Sequence, residues 1–360
     1  MLRRLGISIY PEKSTPQQDK DYITLAHKYG FSRIFTCLLS VQKPKEEIKA
    51  DFKDIIDHAN SLGFEVILDI APVVFDELGI SYDDLGFFKE LGASGIRLDV
   101  GFDGNKEAMI SYNPYGEIIE INMSNDVAYI DNIMTYQPNS SFLYGCHNFY
   151  PQKGTGLPYD FFVKCSERFK RYGLRTAAFI SSQSAKLGPW DINDGLCTLE
   201  MHRQLPVEVA AKHLFATNLI DDVIIGNAYA SEEELKALSE VNRYQLQFDV
   251  EYSNHASAIE HTIVEKEQHF RRGDITELMV RSTEVRKKYK KEAFPPHDHD
   301  QTFNRGDILI GNDNFGKYKG ELQIALASHE DQRKNKVGQI RKEELFLLDY
   351  IYPWSKFRFK

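Results

Sequence analysis

Acidic side chains placed one strand–helix unit apart are the first sign of chemistry in this chain. Asp69 stands in Leu-Asp-Ile-Ala-Pro and Asp99 in Ile-Arg-Leu-Asp-Val-Gly. Each closes a short apolar run, where a strand would end. Ser8 and Tyr10, Asn122, His147 or Asn148, Ser181, and Asn227 occupy comparable places. Two carboxylates at one pocket suit cleavage of a glycosidic bond: one donates a proton to the leaving oxygen while the other acts on the opposite face of the sugar. A single polar group of this kind is ordinarily a satisfied core residue. A ring of them points to a pocket.

Three connecting segments add to the set. Val100–Gly104 supplies Asp103. Tyr150–Pro158 carries two glycines with Lys153 and Thr155, a pattern that turns backbone N–H groups towards an anion or makes a plain turn. The long segment Ser182–Leu205 brings the aromatic Trp190 and then Glu200, His202 and Arg203 in Thr-Leu-Glu-Met-His-Arg. Loops of that length in a compact domain usually have a task. Asp69 and Asp99 are the expected catalytic pair, of one parity on neighbouring strands and about 5–7 Å apart. Glu200 is the rival proton donor. The expected substrate-binding residues are Tyr10, Asp103, Asn122, His147, Asn148, Lys153, Ser181, Trp190, His202, Arg203, Asn227 and Arg281. Glu65 and Arg97 are expected one layer deeper, paired with each other and joined by Glu120, because buried charges need partners.

The elements that must position these groups alternate regularly. Strand-like runs occur at Leu5–Tyr10, Phe31–Leu39, Phe64–Ile70, Gly95–Val100, Glu117–Met123, Phe142–Phe149, Arg175–Ser181 and Asp222–Asn227. Amphipathic runs separate them. The first is capped by Ser14 or Thr15. Another covers Ser81–Leu91, and another starts at Asn125 or Asp126 and runs to Tyr136. Eight such units of about 30 residues predict a (β/α)8 TIM barrel over 1–243, with its site at the carboxyl ends of the strands. A doubly wound sheet is the alternative, but no G-x-G-x-x-G follows the first strand. From 244 to 360 the pattern changes to a small β-rich domain. Its strands are expected at Tyr244–Tyr252, Asp274–Arg281, Ile308–Ile310, Lys319–Leu326 and Leu345–Tyr350, with little helix. Its loop Pro295–Asp300 offers two histidines, half of a metal site; a solvated loop is the simpler reading.

Composition narrows the function. The net charge is −9 and no basic cluster occurs, which disfavours nucleic acid and anionic membranes as partners. Hydrophobic content of 42% and charged content of 27% are those of a globular protein. The cysteines, Cys37, Cys146, Cys165 and Cys197, have neither C-x-x-C nor zinc spacing, and Cys37 and Cys146 fall in strand-like runs as buried thiols. The first residues lack the apolar core of a secretion signal, and no run reaches the roughly 18 apolar residues of a membrane span. A cytoplasmic protein without metal or cofactor is expected.

Several segments together resemble one known family, the bacterial 6-phospho-N-acetylmuramidases, sometimes labelled outer surface proteins. They are Gly-Ile-Ser-Ile-Tyr-Pro (6–11), Arg-Ile-Phe-Thr-Cys-Leu-Leu (33–39), Ile-Arg-Leu-Asp-Val-Gly-Phe (96–102), His-Asn-Phe-Tyr-Pro (147–151) with Thr-Gly-Leu (155–157), Leu-Gly-Pro-Trp (187–190), Thr-Leu-Glu-Met-His-Arg (198–203) and Arg-Gly-Asp-Ile (305–308). The resemblance implies a barrel followed by a cyclophilin-like β domain. It implies hydrolysis of the disaccharide 6-phospho-N-acetylmuramic acid–N-acetylglucosamine inside the cell, delivered already phosphorylated by a sugar phosphotransferase transporter during cell-wall recycling. It carries no catalytic pair, so the roles above rest on position and chemistry. In the β domain, Arg281 and Arg305 are expected to reach substrate, or the domain to pair with a second subunit in a homodimer. A sugar-phosphate isomerase or lyase would instead need a metal cluster or a Schiff-base lysine, and no strand ends in Lys. A non-enzymatic surface or binding protein would need an export signal.

Overall fold

The computed structural model describes residues 1–38, 45–70 and 85–360. Leu39, at the end of the expected second strand, and Ser81 to Asp84, in the expected helix Ser81–Leu91, lie outside the described residues. The chain forms two compact units, Met1–Val241 and Asn242–Lys360.

In the first unit, β1 (Arg4–Ile9), β2 (Arg33–Leu38), β3 (Glu65–Ile70), β4 (Gly95–Leu98), β5 (Ile118–Asn122), β6 (Leu143–Cys146), β7 (Arg175–Ile180) and β8 (Asp222–Ile225) pair in sequence order as a closed parallel barrel. Alternation along the strands explains why. One parity, including Leu5, Ile7, Ile34, Val66, Leu68, Ile96 and Ile119, is wholly buried and aliphatic, as strands covered by helices must be. The first helix, Pro16–Lys28, starts at Thr15, whose hydroxyl accepts the Gln18 N–H while the Gln18 side chain accepts the Thr15 N–H. Gly30 follows at φ 75°, a backbone turn that favours glycine. The helix expected from Asp126 starts later, at Tyr129, with Ala128 before it and no side-chain cap.

The opposite parity faces the barrel interior. Its lowest layer is ionic. Arg4 bonds Asp222 at 2.6 Å and Glu65 at 2.8 Å, Arg33 bonds Glu65 at 2.8 Å and also Glu120, and Arg175 bonds Asp222 at 2.6 Å. Burial opposes ionisation of Glu65, but Arg33 and Arg4 hold its carboxyl below the ordinary range. The expected Glu65–Arg97 pair does not form. Glu65 is level with Arg33, whereas Arg97 is level with Asp69. The stagger of strands in a closed barrel lifts Arg97 one layer towards the mouth.

The second unit contains β9 (Leu246–Phe248), β10 (Val250–Tyr252), β11 (His269–Phe270), β12 (Met279–Ser282), β13 (Asp307–Gly311), β14 (Leu322–Ala325), β15 (Lys334–Ile340) and β16 (Lys356–Phe359). They make a five-stranded sheet, β10-β15-β13-β14-β12, and a three-stranded one, β11-β16-β9. The run expected as one strand at Tyr244–Tyr252 breaks at Asp249, whose N–H donates to the buried Glu344 carboxylate at 2.8 Å. Leu345–Tyr350 is not a strand. It lies in a 3-10 helical segment, Lys342–Tyr350, that buries Glu344, Leu347 and Leu348 on one side. The helix Ala258–Lys266, capped by Ser257, was hidden by its weak periodicity. The His-Asp-His run is tied down rather than solvated: His297 meets Glu260 at 2.8 Å, and Asp298 accepts the Ser253 hydroxyl at 2.5 Å.

Candidate active site

Asp69 is the last inward residue of β3, and its register partner on β4 is Arg97. Asp99 follows two residues later, just beyond β4, with the same parity. Arg97 Nη1 donates to Asp69 Oδ1 at 2.8 Å and to Asp99 Oδ1 at 3.4 Å. Its Nη2 donates to Asn148 Oδ1, at the end of β6. Asn122, last in β5, donates through Nδ2 to Asp99 Oδ1 at 3.2 Å. Three polar side chains from three strand ends thus converge on one buried guanidinium, and Asn122 from a fourth joins them through Asp99. Two oxygens bonded to the same nitrogen at 2.8 and 3.4 Å are no more than about 6 Å apart, which admits the roughly 5–5.5 Å of a retaining glycosidase pair and falls short of the inverting range.

The two carboxylates differ in setting. The Asp69 side chain is 15% exposed and that of Asp99 49%. Burial pushes the Asp69 carboxyl above the ordinary aspartate value and prevails over the attraction of Arg97. The neighbouring Cys37 Sγ, 3.9 Å from Asp69 Oδ2, is also buried, and burial keeps it a neutral thiol. The pair therefore consists of a buried carboxyl raised above its ordinary value and a more open one beside it, an asymmetry of setting that suits acid–base chemistry.

Aromatic side chains line the same end of the barrel. Phe149 packs edge-on against Phe35 and Phe179, with centroids 5.8 and 5.0 Å away, and Trp190 lies 5.8 Å from Phe149 with half its surface open. Such faces suit the apolar side of a sugar ring. A cavity of about 280 Å³ opens beside Asp99 and Asn122, walled by Phe102, Val127 and Tyr129.

Other expected site residues are placed elsewhere. His147 points away from the interior, between Ser124 Oγ at 3.1 Å and Ser166 Oγ at 2.8 Å, and burial pushes its pKa down to about 3. Of the two neighbours, Asn148 therefore faces the site. His202 is buried against His213, with Nε2 and Nδ1 2.6 Å apart. The Tyr10 hydroxyl donates to the Gly226 carbonyl inside the barrel. Asn227 accepts the Ser182 N–H at 2.8 Å and donates to the Ser182 and Ala185 carbonyls, while Ser181 accepts the Leu196 N–H at 3.1 Å, so both brace the loop after β7. Asp103 is exposed and takes the Lys106 N–H at 2.8 Å. The Lys153 backbone N–H donates to Asp194 at 3.0 Å. Arg281 belongs to the second unit, where it pairs with Glu321 at 2.7 Å.

Glu200 departs most from expectation. Its carboxylate accepts Gly154 N–H at 2.9 Å, Gly156 N–H at 2.8 Å, and Arg203 Nε and Nη2 at 2.8 and 2.6 Å. The Arg203 bonds, together with those backbone donors, pull its pKa down to about 2. A group held ionised this firmly has no proton to give at neutral pH. The glycine loop does turn its N–H groups to an anion, and the anion is Glu200. Arg203 also bonds the Tyr150 and Gly195 carbonyls, closing a clamp between two loops. Glu234 fills the loop after β7 in the same manner, accepting the Ser182 hydroxyl at 2.6 Å and the Gln183 N–H at 2.7 Å. Arg97 is the site residue that sequence reasoning missed. Its parity with Asp99 was visible, but its level against Asp69 was not.

Family models for the N-terminal and C-terminal parts of 6-phospho-N-acetylmuramidase match residues 5–240 and 246–360. The chain belongs to the 6-phospho-N-acetylmuramidase family. It is also similar to the crystal structure of an uncharacterized B. cereus protein, at 60% identity over 100% of both chains and a TM-score of 0.94. A conserved protein of unknown function from a locus in Enterococcus faecalis is 25% identical, with 99% of this chain and 96% of that one covered and a TM-score of 0.73. A comparison with functionally curated proteins gave no match. Within the family's N-terminal part, the Asp69–Arg97–Asp99 group sits where barrel enzymes keep their chemistry. Among the described residues no helix is long and apolar enough to cross a membrane.

Proposed function

We propose that this chain is a glycoside hydrolase that cleaves 6-phospho-N-acetylmuramic acid–N-acetylglucosamine in the cytoplasm during peptidoglycan recycling. The observation that carries the reading is the pair of unlike carboxylates, Asp69 and Asp99, bridged by Arg97 at the carboxyl ends of β3 and β4. Asp69 acts as the acid: it is buried and its carboxyl is raised, so it delivers a proton to the glycosidic oxygen as the bond breaks. Asp99, open to solvent, faces the positive charge that develops at the anomeric carbon. Arg97 fixes both carboxylates and, with Asn148 and Asn122, limits their movement. Phe149 and Trp190 offer stacking surface for the sugar rings. The β-rich unit is read as a cyclophilin-like domain. The test is incubation of the purified chain with the phosphorylated and the unphosphorylated disaccharide, with sugar release followed by chromatography. Release from the phosphorylated form at a far higher rate is expected. Equal rates on both forms contradict the phosphate requirement, and no release from either contradicts the hydrolase.

A further inference from the structure

The carboxyl ends of the strands carry the chemistry proposed above, but the amino ends hold a cavity of their own. It measures about 590 Å³, within the roughly 300–1,000 Å³ of small-molecule sites, and lies among the starts of β1, β3, β4 and β5. Arg4, Glu65, Lys89, Ser94 and Glu117 line it. That end of a barrel ordinarily serves stability alone, so its interior charges are expected to be paired. Three carboxylates obey the rule: Glu65 meets Arg4 and Arg33 at 2.8 Å, Asp222 meets Arg4 and Arg175 at 2.6 Å, and Glu120 meets Arg33. Glu117 does not. It is 1% exposed, and its Oε2 is buried without a hydrogen-bond partner. Asn113 brackets its backbone, accepting the Glu117 N–H and donating to the Glu117 carbonyl, both at 2.9 Å, which fixes the point from which the side chain departs. Burial pushes the Glu117 carboxyl up to about 7, and the charge of Lys89 opposes the rise. A buried carboxyl left open costs free energy that a donor from outside would recover.

Lys89 gives the second observation. It stands exposed on the helix Gly86–Leu91 and lines the same cavity. Its charge is felt at Glu117, yet among the described residues no ion pair joins the two. An acid and a base thus face one cavity without closing on each other. The molecule that completes both carries an ammonium group for Glu117 and an anionic group for Lys89. Ser94, whose hydroxyl oxygen accepts the Val66 N–H at 3.0 Å, keeps a hydroxyl hydrogen to give to that anion. Opposite charges on one small molecule are the pattern of a free α-amino acid.

We propose that the cavity at the amino ends of β1, β3, β4 and β5 binds a free α-amino acid, with Glu117 taking its ammonium group and Lys89 its carboxylate. Both contacts are charge-assisted hydrogen bonds, the stronger kind, and the one to Glu117 is made out of water. The site lies at the end of the barrel opposite Asp69 and Asp99, and its ligand does not depend on the reaction proposed there.

The experiment is a set of thermal melts of the full chain with each common L-amino acid in turn at millimolar concentration, because a ligand of the folded state raises Tm. Calorimetric titration follows for those that do. At least one amino acid is expected to raise Tm and to bind. Its N-acetylated and its carboxyl-amidated forms, each lacking one charge, should bind at least about tenfold more weakly, the scale of one charge-assisted contact. Glu117→Gln keeps the size of the side chain, and Lys89→Gln changes an exposed one, so the second variant should fold even if the first proves unstable. Each should weaken binding at least about tenfold, whereas Asp99→Asn should leave it unchanged. No Tm shift and no binding with any amino acid overturns the proposal, and so does equal affinity in wild type and Lys89→Gln. Loss of binding in Asp99→Asn also overturns it, because that result moves the ligand to the barrel mouth. Binding is read without the disaccharide, so failure of the hydrolase reading and failure of this site are distinguishable.

Discussion

Replacing Glu200 by Gln separates a catalytic carboxylate from a structural one. The carboxylate accepts four hydrogen bonds, two from Arg203 and one each from Gly154 and Gly156. Gln keeps one oxygen and turns the other end into a donor facing donors. Two charge-assisted bonds are lost, worth about 1.5–3 kcal/mol each in a buried setting. The Glu200 side chain is 34% exposed, so solvent screening reduces the total, and about 2 kcal/mol is the net expectation. For a barrel of this size that corresponds to a fall of about 4–8 °C in Tm. The pH dependence has a definite sign. Because the folded carboxyl is held at about 2, below its ordinary 4.5, its contribution is complete above pH 4.5 and is lost as pH falls towards 2. Thermal melts at pH 7 and pH 3 read both effects, and the stability difference between variant and wild type should shrink by about half at the lower pH. At temperatures well below Tm, kcat should stay within a few fold of wild type. A kcat reduced by 100-fold or more with an unchanged Tm refutes the clamp and returns the proton donor to this loop.

Two further outcomes follow from the same structure. His147 and His213 are buried and neutral, with pKa values pushed down to about 3 and about 4, so their stabilisation is present above the unfolded value near 6.5 and is lost as pH falls. At pH 5 each should cost about 2 kcal/mol relative to pH 7, and urea unfolding at the two pH values should show it; a stability that does not change contradicts the neutral packing of these rings. Carboxylate-driven hydrolysis needs no metal, so activity should survive exhaustive treatment with EDTA; loss that a single divalent ion restores moves the chemistry to a metal-assisted class.

The barrel was legible because its signals are local. Aliphatic alternation, Thr15 before Pro16 and Gly30 after the first helix each state an element's type or end within a few residues. The ring of polar strand ends was legible for the same reason. What the sequence hid was relative position. Parity alone pairs Arg97 with Glu65, and only the stagger between β3 and β4 sets it level with Asp69. His147 and Asn148 are adjacent, and a strand end that turns after Cys146 decides which one faces inward. Glu200 reads as a mobile acid in a long loop until the Gly154 and Gly156 N–H groups, more than 40 residues away in sequence, are seen to occupy it. In the β-rich unit, Leu345–Tyr350 has the apolar content of a strand, but the spacing of its buried residues is that of a helical turn.

The most direct measurement is kcat on the phosphorylated disaccharide for Asp69→Asn and Asp99→Asn beside wild type, with Tm recorded for each. Each change keeps the size of the side chain and a partner for Arg97 while removing the ionisable group. Both should lower kcat by about 100-fold or more, the scale of general acid–base catalysis, with little change in KM. Near-normal kcat in both folded variants contradicts the assignment of the reaction to the carboxylates at the ends of β3 and β4.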